Sequence, residues 1–149
     1  MDIRLSSACL PVWHHFEKHY PQEAVDMLMA RKEAGIKPEE GIPFTGWTGG
    51  YIGTGGSNLH KDSKDTVGPT AVIPVGVGWV ERSVFVVPEI AQGFWLQARD
   101  VIYMDAHSLV HGSTQPSVQD GGDRYVISLY CQKCVLNKLT RLSSMKASE

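Results

Sequence analysis

The sequence predicts an α+β fold, mainly β, with helices at its two ends. Three observations carry this reading. Apolar residues before position 36 recur at helical spacing. From about Phe44 the composition shifts to Gly, Thr and β-branched residues in short runs separated by turn residues. Those runs follow one another too closely to leave room for crossover helices, which points to a compact sandwich or barrel.

The elements follow in order. Val12–His19 is a short helical candidate. Pro21 suits the first turn of a second helix, where its missing N–H is not needed. Ala24, Val25, Leu28 and Met29 recur at helical spacing, Gly35 is a natural stop, and Pro38 and Pro43 break the pattern. Strands are predicted at Ala71–Val77, Ser83–Ile90, Gly93–Gln97, Val101–Met104, Ser108–His111 and Arg124–Cys131. The tail from Lys133 to Glu149, with Lys133, Lys138, Arg141 and Lys146, reads as a short helix or frayed end with a solvated charged face.

Composition narrows the function classes. The 149 residues are one domain's worth, with 42% hydrophobic and 20% charged residues, ordinary values for a folded globular chain. A net charge of -2 excludes nucleic-acid binding through bulk charge, so any such role needs a local basic cleft. No apolar run approaches the length that spans a bilayer, so no membrane partner is expected. The start, MDIRLSSACLPVWHH, lacks a charged segment followed by a long apolar stretch, and no secretory signal is expected. Cys9, Cys131 and Cys134 are too few and too unevenly placed for a disulfide framework, which makes a reducing, intracellular location the expectation.

The chemistry concentrates in two stretches. Residues 58–65 read Asn-Leu-His-Lys-Asp-Ser-Lys-Asp, so His60 and Asp62 stand two apart and would share one face of a strand. Residues 105–114 read Asp-Ala-His-Ser-Leu-Val-His-Gly-Ser-Thr and offer His111 as a third ligand. Two imidazoles and one carboxylate on one side of a cation leave the opposite positions open, the arrangement that suits iron(II) oxygen chemistry. Arg124 opens the last predicted strand, thirteen residues beyond His111, and Asp120-Gly121-Gly122-Asp123 supplies a turn between them. A hairpin there would set the two strands side by side and bring Arg124 near the metal ligand. Its guanidinium is suited to grip a carboxylate through two parallel hydrogen bonds.

This order of a His-x-Asp pair, about fifty residues, a distal His and a basic residue on the last strand resembles the iron(II)- and 2-oxoglutarate-dependent dioxygenases. The resemblance covers residues 44–135. It is closest to the TET/JBP-type nucleic-acid base oxygenases, through His-Lys-Asp-Ser-Lys-Asp (60–65), Val-Pro-Glu-Ile (87–90), Ala-Arg-Asp-Val-Ile-Tyr-Met (98–104) and Arg-Tyr-Val-Ile-Ser-Leu-Tyr-Cys-Gln-Lys (124–133). Two positions depart from that pattern. Arg99 stands where those proteins usually have Gly, and Val126 where they often have Ser two residues after the last Arg.

The resemblance implies a double-stranded β-helix (jelly-roll) core over 44–135, with a helical segment (1–43) packed on it and a tail (136–149). It implies His60, Asp62 and His111 as iron(II) ligands and Arg124 as the residue holding 2-oxoglutarate, with O2 as the oxidant. The implied reaction is hydroxylation of a C–H bond, with a 5-methylpyrimidine base in nucleic acid as substrate. Hydroxylation of a small molecule or a protein side chain, or a truncated non-catalytic module of the same fold, are the alternatives. Asn58 would be a partner of His60 if the strand is regular.

Other residues compete for attention. His107 is the rival to His111, with His111-Gly112 the better match to the family's distal turn. His15 and His19 could pinch a metal on a helix, but the zinc-protease Glu after His15 is missing. Cys131-x-x-Cys134 has no second pair to complete a zinc site. The Gly-rich run 49–56 lacks the Gly-Lys-Ser/Thr ending of a phosphate loop and reads as a turn. Trp13, Trp47, Trp79 and Trp95 could stack bases, but such residues more often fill cores.

Overall fold

The computed structural model describes residues 3–36, 44–51, 55–77, 80–81, 83–98, 100–115, 117–118 and 123–146. Pro38, Pro43, Trp79, Arg99, residues 52–54 of the Gly-rich run and residues 120–122 of the proposed turn lie outside them. The architecture is mixed α+β, with most strands in two antiparallel sheets that do not close on each other. The chain divides into two compact units, one comprising residues 1–46, 64–69 and 130–149, the other 47–63 and 70–129.

The first unit holds three helices: α1 (Ile3–His19), α2 (Pro21–Glu33) and α3 (Lys133–Lys146). α1 begins nine residues earlier than the sequence predicts and runs through Pro11. Cys9, Trp13 and Phe16 are all buried at helical spacing, and that burial outweighs the backbone hydrogen bond a proline forfeits. α2 begins at Pro21 and stops as predicted. Gly35 takes a left-handed φ of 74°, its N–H bonds Lys32 O, and the Ile36 N–H bonds Arg31 O. The apolar stripe predicted on α2 is not the buried one. Ala24, Met27 and Arg31 are buried, whereas Val25, Leu28 and Met29 stay exposed. The segment 64–69 is tied to the residues ahead of α3. Val67 N–H bonds Cys131 O, Lys133 N–H bonds Asp65 O, and Lys133 Nζ meets Asp65 Oδ2 at 2.8 Å. Asp65, the second acid of the His60–Asp65 motif, is thus engaged away from His60.

The second unit carries the strands. One sheet has the order β1 (Gly46–Tyr51), β10 (Asp123–Tyr130), β3 (Thr70–Val77), β7 (Ile102–Met104). The other has the order β2 (Ser57–His60), β8 (His111–Ser113), β5 (Val84–Val87), β6 (Gln92–Trp95). β4 (Val80–Glu81) pairs with β9 (Ser117–Val118). Val72, Phe85, Val87, Met104 and Ala106 form the core, with Ile102, Leu109 and Val126 packed against it. These residues come from β3, β7 and β10 on one side and β5 on the other, so the two sheets bury their facing sides together.

Three strand predictions need correction. The run 83–90 is a strand only to Val87, because Pro88 has no N–H for the ladder and opens a single 3₁₀ turn over Pro88–Ile90. The run 108–111 is mostly turn. Asp105 Oδ1 accepts the N–H groups of His107 and Ser108, which diverts this backbone from pairing, and the strand starts at His111. The predicted hairpin between the strands of His111 and Arg124 does not form. β8 pairs with β2 and β5, β10 pairs with β3, and the two lie in different sheets.

The pairing of β2 with β8 is close enough to require glycine. A Cβ on Gly112 would lie 2.8 Å from Ser57 O and 3.0 Å from Asn58 O. Backbone carbonyls cannot yield as a side-chain tip can. Gly112→Ala is therefore expected to cost about 1–3 kcal/mol of stability and to weaken zinc binding by prising His111 from His60, which thermal unfolding and a zinc titration would measure.

Candidate metal centre

His60, Asp62 and His111 converge. One ligand atom from each lies within 4.8 Å of the other two. His60 Nε2 is 3.8 Å and His111 Nε2 is 3.9 Å from Asp62 Oδ1, both too long for hydrogen bonds. Two ligand atoms each about 2.1 Å from one cation and at right angles to it are roughly 3.0 Å apart, so less than about 1 Å of closure completes the shell. The His60 and Asp62 side chains are 49% and 42% exposed and free to supply it, whereas His111 is buried and forms the fixed floor.

A β-bulge produces this convergence. Ser57 pairs with Ser113 and His60 with His111, so β2 spends three steps where β8 spends two. The extra residue turns His60 to the same side as Ser57, a position that strict alternation would have denied it. Asp62 does not share a strand with His60 as predicted, because β2 ends at His60. It is placed instead by its backbone. Its N–H bonds Ala106 O at 2.8 Å, and its carbonyl accepts from His107 Nδ1 at 3.0 Å.

Both imidazoles are oriented for metal. His60 Nδ1 lies 2.8 Å from Asn58 O, and His111 Nδ1 lies 3.0 Å from Leu109 O. A carbonyl only accepts, so each Nδ1 carries the proton and each neutral ring presents its Nε2 lone pair to the centre. Asn58 thus serves through its backbone carbonyl rather than its side chain. The two rings have centroids 4.4 Å apart, and Phe85 stacks on His111 from the core side at 5.8 Å. Glu89 holds the strand start: its Oε1 accepts the Val110 N–H at 2.8 Å. That hydrogen bond, aided by Lys61 and His111, keeps the Glu89 carboxyl below its usual pKa.

Arg124 is 4% exposed. Its one hydrogen-bond partner among the described residues is Ser113 Oγ, at 3.4 Å. No described carboxylate pairs with it. Burial lowers its pKa, but a guanidinium stays charged at any ordinary pH. A buried charge with so little compensation is a site for an anion.

Neither the protein-family models nor the curated protein sequences match this chain. The donor set therefore carries the functional reading. Two imidazole nitrogens and one carboxylate oxygen, on a site exposed at one side, could hold a divalent metal ion. No helix among the described residues is long and apolar enough to cross a membrane.

The remaining candidates fall elsewhere. His15 and His19 stack at 4.4 Å on α1 without a third ligand among the described residues. Cys131 is buried, with its thiol pKa raised by desolvation, while Cys134 is exposed. Trp13 is core, and Trp47 and Trp95 are exposed.

Sequence reasoning treated His107 only as a rival ligand and missed its role as a strut. Its contact is a backbone carbonyl 45 residues away, which no spacing reveals. His107→Ala is expected to weaken zinc affinity about tenfold by loosening Asp62, while leaving measurable binding and activity. A zinc competition titration would measure this.

Proposed function

We propose that this protein is an iron(II)- and 2-oxoglutarate-dependent dioxygenase on a double-stranded β-helix core, hydroxylating a C–H bond of a 5-methylpyrimidine base in nucleic acid. The observation that carries the reading is the pairing of an open two-histidine, one-carboxylate centre with a buried arginine that lacks an acidic partner among the described residues. Iron(II) bound there, with 2-oxoglutarate and O2, would supply the oxidation of the C–H bond.

The protein's own groups do the rest. His60 and His111 present Nε2 with their rings already aligned by backbone carbonyls, so little ordering remains to be done on binding. Asp62 adds the charge that favours a divalent cation. Arg124 grips the co-substrate carboxylate in a setting where burial strengthens the attraction. Phe85 closes the inner side of His111 against water, and substrate enters on the exposed side of His60 and Asp62. A base stacked in a duplex cannot reach that centre, so the reaction requires it to be extruded. A reducing intracellular setting suits both iron(II) and the three free cysteines.

The net charge of -2 favours a second reading, hydroxylation of a small molecule or a protein side chain. Anaerobic addition of iron(II) and 2-oxoglutarate is expected to give a visible charge-transfer band. Succinate release with a methylated oligonucleotide, set against peptide and metabolite panels, then separates the two substrates. Absence of the band would favour a non-catalytic module.

A further inference from the structure

Arg124 does not stand alone in its pocket. Ser113, on β8 two residues after His111, has its Oγ 3.4 Å from Arg124 Nη1 and 3.1 Å from Ser57 Oγ, and it accepts the Ser57 N–H at 3.1 Å. Ser113 is 8% exposed and Arg124 is 4% exposed. A Cβ on Gly56 would press on the Ser113 carbonyl, so the glycine before Ser57 lets the two serines meet.

Counting hydrogens gives the chemistry of this cluster. A guanidinium brings five N–H donors and no acceptor, and each serine adds one O–H. Among the described residues no carboxylate faces them, so the cluster has a surplus of donors. The serine pair can also reverse its direction without moving a heavy atom. When Ser57 donates both its N–H and its O–H to Ser113 Oγ, the Ser113 lone pairs are filled and its own O–H is released. The long Arg124 contact is the one most easily exchanged for a better acceptor.

We propose that Ser113, set by Ser57, is the second donor to the carboxylate that Arg124 grips, and that together they select a 2-oxo acid with a distal carboxylate over one without it. This rests on the reading of the site as a 2-oxoglutarate site. It also gives a place to the hydroxyl missing at Val126, whose side chain packs against the hydrophobic core instead.

The test uses the full chain loaded with zinc(II), which is redox-silent, and calorimetric titration with 2-oxoglutarate and with 2-oxobutyrate, which has no distal carboxylate. Wild type should bind 2-oxoglutarate at least about tenfold more tightly. Ser113→Ala should lose about tenfold for 2-oxoglutarate, as expected for a hydrogen bond to a charged group, and nothing for 2-oxobutyrate. Ser113→Thr, which keeps the hydroxyl, should restore most of it, and Ser57→Ala should lose about threefold.

If both alanine variants bind 2-oxoglutarate as wild type does while Arg124→Met does not, the serine proposal is overturned and the 2-oxoglutarate site stands. If wild type does not prefer 2-oxoglutarate, the site reading falls and the proposal with it. Should Ser113→Ala fail to fold, Ser57→Ala and Ser113→Thr decide by the same titration: a loss in the first with none in the second supports the proposal, and any other pattern overturns it.

Discussion

Asp62→Ala is expected to abolish divalent-metal binding and turnover while leaving the folded protein as stable as before. The two interactions that fix residue 62 in the structure are made by its backbone, the N–H to Ala106 and the carbonyl from His107. Alanine keeps both. The carboxylate itself is part-exposed and makes no hydrogen bond at 3.8 or 3.9 Å to the imidazoles, so its loss removes little from the metal-free fold. It removes one of three ligands and the only negative charge among them. Metal at a hundredfold excess over its Kd should stabilise wild type by about 2.7 kcal/mol through linkage. The variant should show no such gain. Thermal unfolding with and without zinc(II), at matched protein concentration, reads both halves of this expectation at once. A large drop in stability without metal would show that Asp62 serves the fold rather than a cation.

Arg124→Met is expected to move stability and binding in opposite directions. A structural arginine held by a carboxylate would cost about 3–5 kcal/mol to remove, because its partner is left charged and buried. Arg124 leaves no such partner among the described residues, and its contact to Ser113 at 3.4 Å is weak. Methionine takes a similar length of buried chain, in a unit whose core already includes Val126 and Val72, without the cost of an uncompensated charge. Stability should rise by about 1–3 kcal/mol, while affinity for 2-oxoglutarate falls by about a hundredfold or more. Chemical denaturation and calorimetric titration measure the two effects. A destabilised variant would mean that Arg124 is a strut of the sheet.

The helices, most strands and the convergence of His60, Asp62 and His111 are legible in the residue types and their order. The means of convergence are not. The sequence suggests that His60 and Asp62 meet by alternation along a strand, but the structure uses a bulge in β2 for one and a backbone clip for the other. Both depend on pairing across more than 40 residues, which leaves no local periodicity. The same holds for the backbone carbonyls of Asn58 and Leu109 that orient the imidazoles, since any residue supplies a carbonyl. The separation of β8 and β10 into different sheets also escaped, because a thirteen-residue interval with a Gly-Gly turn reads as a hairpin. Turn chemistry explains two further differences. Asp105 captures the N–H groups ahead of His111, and Pro88 ends β5. On α2, helical spacing alone could not distinguish the stripe of Ala24, Met27 and Arg31 from that of Val25, Leu28 and Met29, since both contain apolar residues four apart or closer.

The most direct measurement is long-range proton–nitrogen correlation NMR of the histidine rings during addition of one equivalent of zinc(II). The Nε2 resonances of His60 and His111 should shift to metal-bound values with Nδ1 remaining protonated, and His107, His15 and His19 should keep their free-ring signals. Binding through His107, or through neither His60 nor His111, would contradict the account.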